Sequence, residues 1–414
     1  MTVTNKDKIV VKKIGSSVLA GIGSFKAVAK ALEVEAKESK IVIVASAFLN
    51  ETNKLIKLGT EVIESDHLED SPHFHGIVAT GEQISSCMLA LAFEGIGYKA
   101  SSWNCWQLGI TYNSHQSTID KITEADKIIQ FFANGGNVAI VTGFQALDAN
   151  NQVVTLGRGG SDLTAIAMAE ALGLSVCEVY KDTEGVYTAN PDLCSNAVLI
   201  KQINYHDMIE MSFSGAEVMQ KKALHYARKS KVDIVVKKFY FDDQQNNNGT
   251  LITGNKLPSA AISVSCMRNI SLLSISGIPF GKWPAIINAY RHFIGVMDSF
   301  LDVIAVSKNN DDIGVKIAFR ANAMFIARPM SYITNTLMQI SPDIKINHIE
   351  SDLQVSAISL TGKGCNVVDQ KILSLYGDSC IDCYSNGINR CTYIVNGNYL
   401  EAKQVAHNYI LKAN

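Results

Sequence analysis

The stretch that decides the fold runs from Thr155 to Leu172 and reads TLGRGGSDLTAIAMAEAL. Its first half is rich in glycine and carries Arg158 and Asp162, and its second half has the small and apolar residues of a buried helix. Glycines allow positive φ and close approach to the backbone, and the free N–H groups of a helix start attract anions. The stretch therefore predicts a loop that holds a negatively charged ligand where a helix begins.

The sequence before this stretch predicts an α/β fold, because β-branched runs alternate with helical periods from residue 8 to about 180. The predicted strands are KIVVKKI (8–14), KIVIVAS (40–46), YKASSW (98–103), NVAIVTG (137–143) and SVCEVY (175–180). Helices are predicted to begin near Ser24, Glu51, Thr80, Thr118 and Ser161. Thr80 and Gln83 fit a capping box, which puts Glu82 in the first turn of its helix. Such alternation favours a mostly parallel sheet with helices on both faces and ligands at the carboxyl ends of its strands.

Length and charge limit the class of protein. A chain of 414 residues suggests two or three domains. The 37 Lys and Arg residues nearly balance the 39 Asp and Glu residues, and no long run of one sign occurs, which argues against a nucleic-acid or anionic-membrane surface. The first fifteen residues lack the pattern of a signal peptide, and no later apolar run is expected to span a membrane. The sequence therefore favours a soluble, cytoplasmic protein.

The cysteines do not predict a metal site. Nine are scattered along the chain, as expected of reduced thiols in the cytoplasm. Cys380 and Cys383 form the one suggestive pair, with Cys391 nearby. A zinc site would want a second pair or a histidine cluster at ligand spacing, and none is visible.

The main domain boundary is predicted near residue 255, within the polar stretch FDDQQNNNGTLITGNKLPSAA (241–261). This gives one domain over residues 1–255 and a second region over 260–414. In the second region a strand-helix-strand-strand-helix-strand pattern occurs twice, with LSISG (273–277) and ISLTG (358–362) in equivalent places. We expect two small ferredoxin-like α+β modules, which serve either as a dimerisation platform or as regulatory ligand-binding modules.

Other polar loops are predicted to join the glycine-rich stretch at one edge of the sheet. Lys13, Gly15, Ser16 and Ser17 follow the first strand, in a pattern suited to gripping a polyphosphate. The remaining candidates are Ser46 and Thr52 after the second strand, Glu82, and Lys181, Asp182 and Tyr187 after the fifth strand. No Walker A motif, protein-kinase catalytic loop or Gly-Xaa-Ser-Xaa-Gly elbow is present. The pattern indicates phosphate chemistry on another fold.

Seven motifs in order resemble those of the aspartate kinases of the amino-acid-kinase fold. They are ATGEQISS (79–86), WQLGI (106–110), VTGFQALD (141–148), TLGRGGSDLTAIAMAEALG (155–173), YKDTEGVYTANP (180–191), MSFSGAEVMQ (211–220) and GTLIT (249–253). The resemblance covers residues 8–254, and the paired C-terminal modules look like the two ACT domains of that family. It implies ATP-dependent transfer of the γ-phosphoryl group to the side-chain carboxylate of L-aspartate, with Mg²⁺ on the phosphates.

The resemblance also implies a role for each candidate residue. Arg158 would clamp a substrate carboxylate, Glu82 would pair with the ammonium group, and Ser46, Thr52 and Ser161 would donate hydrogen bonds to the substrate. Lys13 would stabilise the transferring phosphoryl group, and Asp162 would orient the site. The nucleotide would be bound by Lys13, Gly15, Ser16, Ser17, Lys181, Asp182 and Tyr187. The resemblance further implies that the chain forms a homodimer or tetramer and that its ACT-like modules bind an amino-acid effector. It also implies a role in the biosynthesis of lysine, threonine and methionine.

Departures from the family pattern cluster on the phosphate side. The loop KIGSSV (13–18) is one residue shorter than the usual loop, and Asp192 and Glu217 stand where the family places an arginine and a lysine. Lys181, Lys221 and Lys222 are candidates to compensate for these changes. Two alternative functions stay open: a diverged amino-acid kinase acting on another small carboxylate, and a catalytically weak paralogue that binds amino acids as a regulatory partner.

Overall fold

The computed structural model describes residues 8–63, 68, 71–216, 218–241, 249–254, 263–268, 270–279, 282, 301–309, 312–320, 338–339, 345–349, 355–362, 365, 370–377, 380–385, 389–396, 403–404 and 406–408. The chain divides into two compact units. Unit 1 comprises Met1–Val186, Leu199–Tyr205 and Val218–Lys256, and unit 2 comprises Tyr187–Val198, His206–Glu217 and Leu257–Asn414. The chain passes from unit 1 to unit 2 for the last time after Lys256, within the polar stretch 241–261.

Unit 1 is built on an eight-stranded sheet, mostly parallel as predicted. Its strands are β1 (Lys8–Ile14), β2 (Ser39–Ala45), β3 (Ala100–Trp103), β6 (Val138–Thr142), β9 (Val176–Lys181), β10 (Gln202–Asn204), β11 (Asp233–Lys238) and β12 (Thr250–Thr253), in the order β10-β12-β11-β9-β1-β2-β6-β3. Only the β11–β12 pair is antiparallel among the recorded pairings of this sheet. The ends of β1, β2, β6 and β9 therefore point to one edge.

A smaller sheet lies in the same unit. It contains β4 (Ile110–Asn113), β5 (Thr118–Ile122), β7 (Gln145–Leu147) and β8 (Val153–Thr155), in the order β5-β4-β7-β8. β7 and β8 form an antiparallel pair in which Gln145 faces Thr155. This pair leads directly into the glycine-rich loop.

The helices begin close to the predicted positions in three cases out of five. They are α1 (Ile22–Ala31), α2 (Glu33–Glu38), α3 (Glu51–Val62), α4 (Pro72–Glu94), α5 (Cys105–Leu108), α6 (Asp126–Ala133), α7 (Gly160–Ala171), α8 (Tyr205–Phe213) and α9 (Lys221–Ser230). The predicted start at Thr80 is wrong, because Thr80 lies inside α4 and its hydroxyl donates to the Ile77 carbonyl at 2.6 Å. The predicted start at Thr118 is also wrong, because Thr118 opens β5.

Helix α4 runs through the core of unit 1. By length and composition alone it could cross a membrane, contrary to the expectation from the sequence, but half of its most apolar window is buried inside the protein, as in the core helix of a soluble protein. Leu89 and Phe93 of α4 pack with Phe25 and Val28 of α1 and with strand residues of β2 and β6 in one apolar cluster. The burial of this cluster holds α4 against the sheet.

The two faces of β1 carry different ion pairs. Lys12, 2% exposed, pairs with Glu35 of α2 at 3.0 Å and with Glu178 of β9, while Lys237 pairs with Glu178 at 2.7 Å. Burial acts to raise the pKa of Glu178, but the nearby Lys12 and Lys237 outweigh it and lower that pKa to about 2. Because successive strand residues point to opposite faces, Lys13 projects from the other side of the sheet.

Unit 2 contains two four-stranded antiparallel sheets. One consists of β14 (Ile270–Pro279), β15 (Leu301–Asn309), β16 (Asp312–Arg320) and β17 (Lys345–Ile349), in the order β15-β16-β14-β17. The other consists of β13 (Ser263–Arg268), β18 (Val355–Thr361), β19 (Cys380–Ser385) and β20 (Arg390–Asn396), in the order β13-β18-β20-β19, with α10 (Gln370–Tyr376) between β18 and β19.

Two equivalent modules are therefore present, but one is nested in the other. In the first sheet the four strands are consecutive in the sequence, and β17 is the edge strand next to β14. In the second sheet the corresponding edge strand, next to β18, is β13, which precedes all four strands of the first sheet in the sequence. Gly277 lies near the end of β14 and Gly362 directly follows β18, and both glycines have positive φ. The sequence predicted the repeat, but it did not predict that β13 pairs with β18 in the second sheet.

The second sheet buries one apolar face under α10. The side chains of Ile358, Leu360 and Tyr393 pack with Ile372 and Tyr376 of that helix. Several cysteines pack at this cluster, namely Cys266, Cys365, Cys380, Cys383 and Cys391. Within the part of the chain that the structure describes, no group of three or more His, Cys, Asp or Glu side chains is arranged to hold a metal ion.

Candidate active site

Three charged side chains meet at the carboxyl edge of the large sheet. Lys13, near the end of β1, places Nζ 2.8 Å from Oδ1 of Asp162, and Lys181, at the end of β9, places Nζ 3.2 Å from Oδ2 of the same carboxylate. Asp162 lies in the first turn of α7, which packs against β1, β2 and β9. The β1–β9 pairing thus brings together residues almost 170 positions apart in the sequence.

The electrostatics keep this cluster charged. Burial acts to raise the pKa of Asp162, which is 2% exposed, but the two ammonium groups outweigh burial and hold that pKa below its usual range. Burial lowers the pKa of Lys181, and the Asp162 carboxylate counteracts that shift. Two lysines on one carboxylate leave a net positive charge, which suits a site for phosphate oxygens.

The turn after β1 lies beside this cluster. The Gly15 N–H donates to the Tyr180 carbonyl at 3.3 Å, and the Gly15 carbonyl accepts from the N–H groups of Val18 and Leu19. A Cβ on Gly15 would lie 3.1 Å from the Tyr180 oxygen and 3.3 Å from Lys13 Nζ. Ser16 is exposed and Ser17 is half-buried in this turn. A side chain at this position would therefore be tightly packed against the Tyr180 oxygen and Lys13.

Glu82 forms a second, separate feature of the same unit. It is 3% exposed in the third turn of α4, so its predicted position in a first turn is wrong. Its Oε1 accepts from the N–H of Ala47, the residue after Ser46, at 3.0 Å, whereas its Oε2 is buried and has no hydrogen-bond partner among the described residues. Burial raises the pKa of Glu82 to about 7, although the Ala47 N–H and the charge of Lys13 both lower it.

The loops after β2 and β6 close around Ser161. Ser46 and Ser161 are both buried, and the Gly143 N–H donates to the Ala45 carbonyl at 3.0 Å. A Cβ added to Gly143 would lie 2.7 Å from the Ser161 Cβ and Oγ and 2.9 Å from the Ala45 oxygen. The backbone after β6 therefore approaches the start of α7 too closely for any side chain.

Substitution of Gly143 by alanine should destabilise unit 1 by roughly 1–3 kcal/mol, because the new methyl group overlaps a backbone oxygen that cannot move alone. Thermal unfolding checks this. The matched control is Gly76→Ala in α4, where no atom lies within 4 Å of the new Cβ. That variant should gain about 0.5–1 kcal/mol from the better helix former. Equal melting temperatures for the two variants would contradict the close approach at Gly143.

Arg158 lies in the loop between β8 and α7 and is exposed. Gly157 and Gly159, its neighbours, have φ values of 75° and 74°, a conformation that side chains rarely adopt. A Cβ on Gly159 would also clash with the side chain of Gln220. The two glycines thus set the path of the loop, and the sequence-based assignment of a glycine-bracketed turn before a helix is correct.

The structure does not bring every predicted residue into this cluster. Thr52 is half-buried in the first turn of α3, and Asp182 is exposed just after β9. Tyr187 belongs to unit 2, as does the exposed Asp192. Glu217 lies outside the described residues, and Lys221 and Lys222 are half-buried at the start of α9.

Two residues of the site region were missed by the sequence analysis. His75, in the first turn of α4, accepts from the Thr155 N–H at 3.4 Å and lies 2.9 Å from the Thr155 hydroxyl. Gln145 is fully buried and donates to the Ala79 carbonyl of α4 at 3.2 Å. Both tie the β7–β8 pair to the helix that carries Glu82. No sequence signal links His75 to Thr155, because the pairing depends on how α4 packs.

A family model described as the amino acid kinase family matches residues 8–238. The aspartokinase of Rickettsia felis is 29% identical over 390 residues, covering 90% of each chain. The aspartokinase of Helicobacter pylori strain J99 is 33% identical over 279 residues, covering 65% of this chain and 67% of its own.

A solved structure shares the whole fold. The crystal structure of E. coli aspartokinase III in complex with aspartate and ADP has a TM-score of 0.74 at 18% identity, covering 97% of this chain and 100% of its own. At that identity the likeness concerns the fold alone. The family model matches more than half of the chain, and the Helicobacter pylori relative is 33% identical over 67% of its own length. The chain therefore belongs to the amino acid kinase family and groups with its aspartokinases.

Proposed function

We propose that the protein catalyses ATP-dependent phosphorylation of the side-chain carboxylate of L-aspartate, giving 4-phospho-L-aspartate. The observation that carries the proposal is the pairing of two opposite features in unit 1. Glu82 is a buried carboxylate with one oxygen that has no hydrogen-bond partner among the described residues, and it suits an ammonium group. The cationic cluster of Lys13 and Lys181 on Asp162 suits phosphate oxygens. Curated relatives named aspartokinases support this reading.

At the substrate end, Glu82 Oε2 would accept from the ammonium group of the amino acid. Arg158 would clamp a carboxylate through its planar fork, which can donate two parallel hydrogen bonds. Ser46, Thr52 and Ser161 would donate further hydrogen bonds to the substrate. The backbone at Gly143 passes so close to Ser161 that a Cβ on Gly143 would lie 2.7 Å from the hydroxyl oxygen.

At the phosphoryl end, Lys13 would neutralise the charge of the transferring group. An oxygen of the substrate carboxylate attacks the γ-phosphorus, the bond from that phosphorus to the bridging oxygen breaks, and the electron pair leaves with ADP. The attacking carboxylate is already ionised at neutral pH, so no general base is required. Asp162 would orient Lys13 and Lys181, and the residues of unit 1 to which we assign the nucleotide are Lys13, Gly15, Ser16, Ser17, Lys181 and Asp182.

Mg²⁺ would enter as the complex of the triphosphate. Asp162, the buried carboxylate of the cluster, is already engaged by two ammonium groups, and the described residues contain no cluster of three metal-type ligands. Phosphate oxygens and water would therefore supply most of the metal's ligands, as is usual for this ion. The metal supplies charge neutralisation on the phosphates.

Lys181 adds a second cation to the cluster of unit 1. Its ammonium group shares Asp162 with Lys13, so two lysines are available there to neutralise phosphate charge. This supports an active kinase over a catalytically weak paralogue. Phosphorylation of another small carboxylate is the second candidate function, and a panel of acceptors tests it.

Unit 2 supports a proposal of regulation. Its two sheets have the strand order of ferredoxin-like modules, and a second structure of E. coli aspartokinase III, in complex with lysine and aspartate, has a TM-score of 0.69. We propose that these modules bind an amino-acid effector and join copies of the chain as a homodimer or tetramer. The protein would act in the cytoplasm, in amino-acid biosynthesis.

The decisive experiment traps the acyl phosphate. Full-length protein with ATP, Mg²⁺, L-aspartate and hydroxylamine should form the hydroxamate, and Arg158→Lys should raise the KM for aspartate tenfold or more, because lysine lacks the bidentate fork. A panel of other small carboxylates gives the acceptor specificity. Hydroxamate from another carboxylate but not from aspartate would select the second candidate, and none from any acceptor would refute the kinase proposal.

A further inference from the structure

Gln145 is a fully buried amide whose orientation is determined by one hydrogen bond. Its Nε2 donates to the Ala79 carbonyl of α4 at 3.2 Å, which settles which end of the amide carries the nitrogen. The Oε1 atom is then left buried with no hydrogen-bond partner among the residues that the structure describes. Buried polar groups without partners are rare in folded proteins, so a ligand or an ordered water is expected to supply the donor.

The same side of α4 carries two more such atoms. Ala79, Glu82 and Ser85 are three residues apart and so follow one another along one side of the helix. Oε2 of Glu82 and Oγ of Ser85 are also buried and without a partner in the described part of the chain. The carboxylate oxygen and the amide oxygen only accept hydrogen bonds. Their missing partner must therefore bring N–H or O–H groups, and the charge of Glu82 favours a cation.

We propose that Gln145 is a substrate-contacting residue whose Oε1 accepts a hydrogen bond from the substrate's ammonium group, beside Oε2 of Glu82. The proposal rests on the function proposed above. An ammonium group has three N–H donors, enough for both oxygens and a third partner. Because the amide is neutral, Gln145 adds an acceptor without a second negative charge next to Glu82. The pair would discriminate an amino dicarboxylate from a dicarboxylate without the amino group.

A purely structural role makes a different prediction. Gln145 pairs with Thr155 across β7 and β8, and Thr155 lies three residues before Arg158. In a purely structural role, Gln145 would only hold in place the loop that binds the carboxylates. Loss of that support would weaken every dicarboxylate alike. Loss of an ammonium contact would weaken only ligands that have the amino group.

The test measures the dissociation constants of L-aspartate and of succinate by calorimetry, on the full chain and on Gln145→Met, which has a similar length and neither hydrogen-bonding group. We expect aspartate to bind at least tenfold more weakly and succinate to change less than twofold. Equal weakening of both ligands would overturn the inference, whether the cause is a structural role or a bound water. Failure of the unsubstituted protein to bind aspartate would instead refute the proposed function.

Two further variants keep the test independent of folding. Gln145→Glu is expected to be protonated by burial beside Glu82, so that its O–H can donate to the Ala79 carbonyl while its other oxygen still accepts. The preference for aspartate over succinate should therefore stay within about threefold of the original, and its loss would count against the ammonium contact. Thr155→Val removes the hydroxyl beside His75 in the same strand pair and serves as the matched control. It should change the binding of both ligands by the same factor, and selective loss of aspartate binding here would overturn the assignment to Gln145.

Discussion

Replacement of Lys13 by methionine is expected to lower kcat roughly 10²–10³-fold, the cost usually found for removing one preorganised group that stabilises transition-state charge. Lys13 is the ammonium group closest to Asp162, at 2.8 Å, and it lies at the edge where the strand ends converge. Lys181 still pairs with Asp162 in this variant, so the carboxylate keeps one counter-charge and the fold should survive. Steady-state kinetics with hydroxylamine trapping measures the loss.

The matched control for this prediction is Lys8→Met. Lys8 lies in the same strand but is exposed at its beginning, six residues from the edge. The kcat of the Lys8→Met variant should stay within twofold of the value for the unsubstituted enzyme. A Lys13→Met enzyme that retains more than a tenth of the original kcat would show that another cation, with Lys181 the first candidate, carries the charge of the transferring group.

Substitution of Glu82 by glutamine should weaken aspartate binding by roughly 2–4 kcal/mol, about 30- to 1,000-fold, the range for removing one partner of a buried charge pair. Glutamine keeps an oxygen that can accept from the Ala47 N–H, so the backbone after β2 stays supported. The binding of succinate, which lacks the amino group, should be weakened much less. Comparable losses for aspartate and succinate would mean that Glu82 does not contact the ammonium group.

The affinity for aspartate should also depend on pH through Glu82. Burial raises the pKa of this carboxyl to about 7 in the free protein, and an ammonium group pairs with the ionised form. Affinity should therefore rise about tenfold between pH 6 and pH 8 and level off above that range. In Glu82→Gln the same titration should be flat, and a persisting pH dependence would assign it to another group.

The stability of the protein should show the opposite trend. The folded-state pKa of Glu82 lies above its usual value of 4.5, so the folded form binds the proton more tightly than the unfolded chain does. Stability from this residue is fully present below pH 4.5 and is lost as pH rises through 7. The melting temperature of Glu82→Gln, relative to the unsubstituted protein, should thus be higher at pH 8 than at pH 5. Binding of an ammonium group would offset this cost.

The sheet edge at which the candidate site residues lie could be predicted from the sequence because that information is local. The order of strands and loops placed Lys13, Ser46, Ser161 and Lys181 after or beside strand ends, and parallel strands bring such ends to one edge. The position of Asp162 at the start of α7 also followed from the glycines before it, whereas its burial did not. The resemblance to aspartate kinases added the substrate, which residue chemistry alone left open.

The errors arose where tertiary packing overrides local pattern. Thr80 and Gln83 match a capping box, yet α4 continues through them because its apolar side packs in the core of unit 1. Thr118 was assigned to a helix, but pairing with β4 makes it part of a strand. Propensity is a weak prior in both cases, and burial against a neighbouring element decides the outcome.

The sequence by itself determined the alternation of strands and helices, the edge where the polar loops meet and the repeat in the C-terminal half, because these depend on periodicity, glycine positions and chain order. Only the tertiary structure decided which atoms remain without partners. Three features depend on contacts between residues far apart in the sequence. They are the two lysines on Asp162, the pairing of β13 with β18, and the oxygens of Glu82 and Gln145 that have no partner in the part of the chain that the structure describes. Local pattern constrains backbone conformation, whereas burial and hydrogen-bond satisfaction depend on the packed whole.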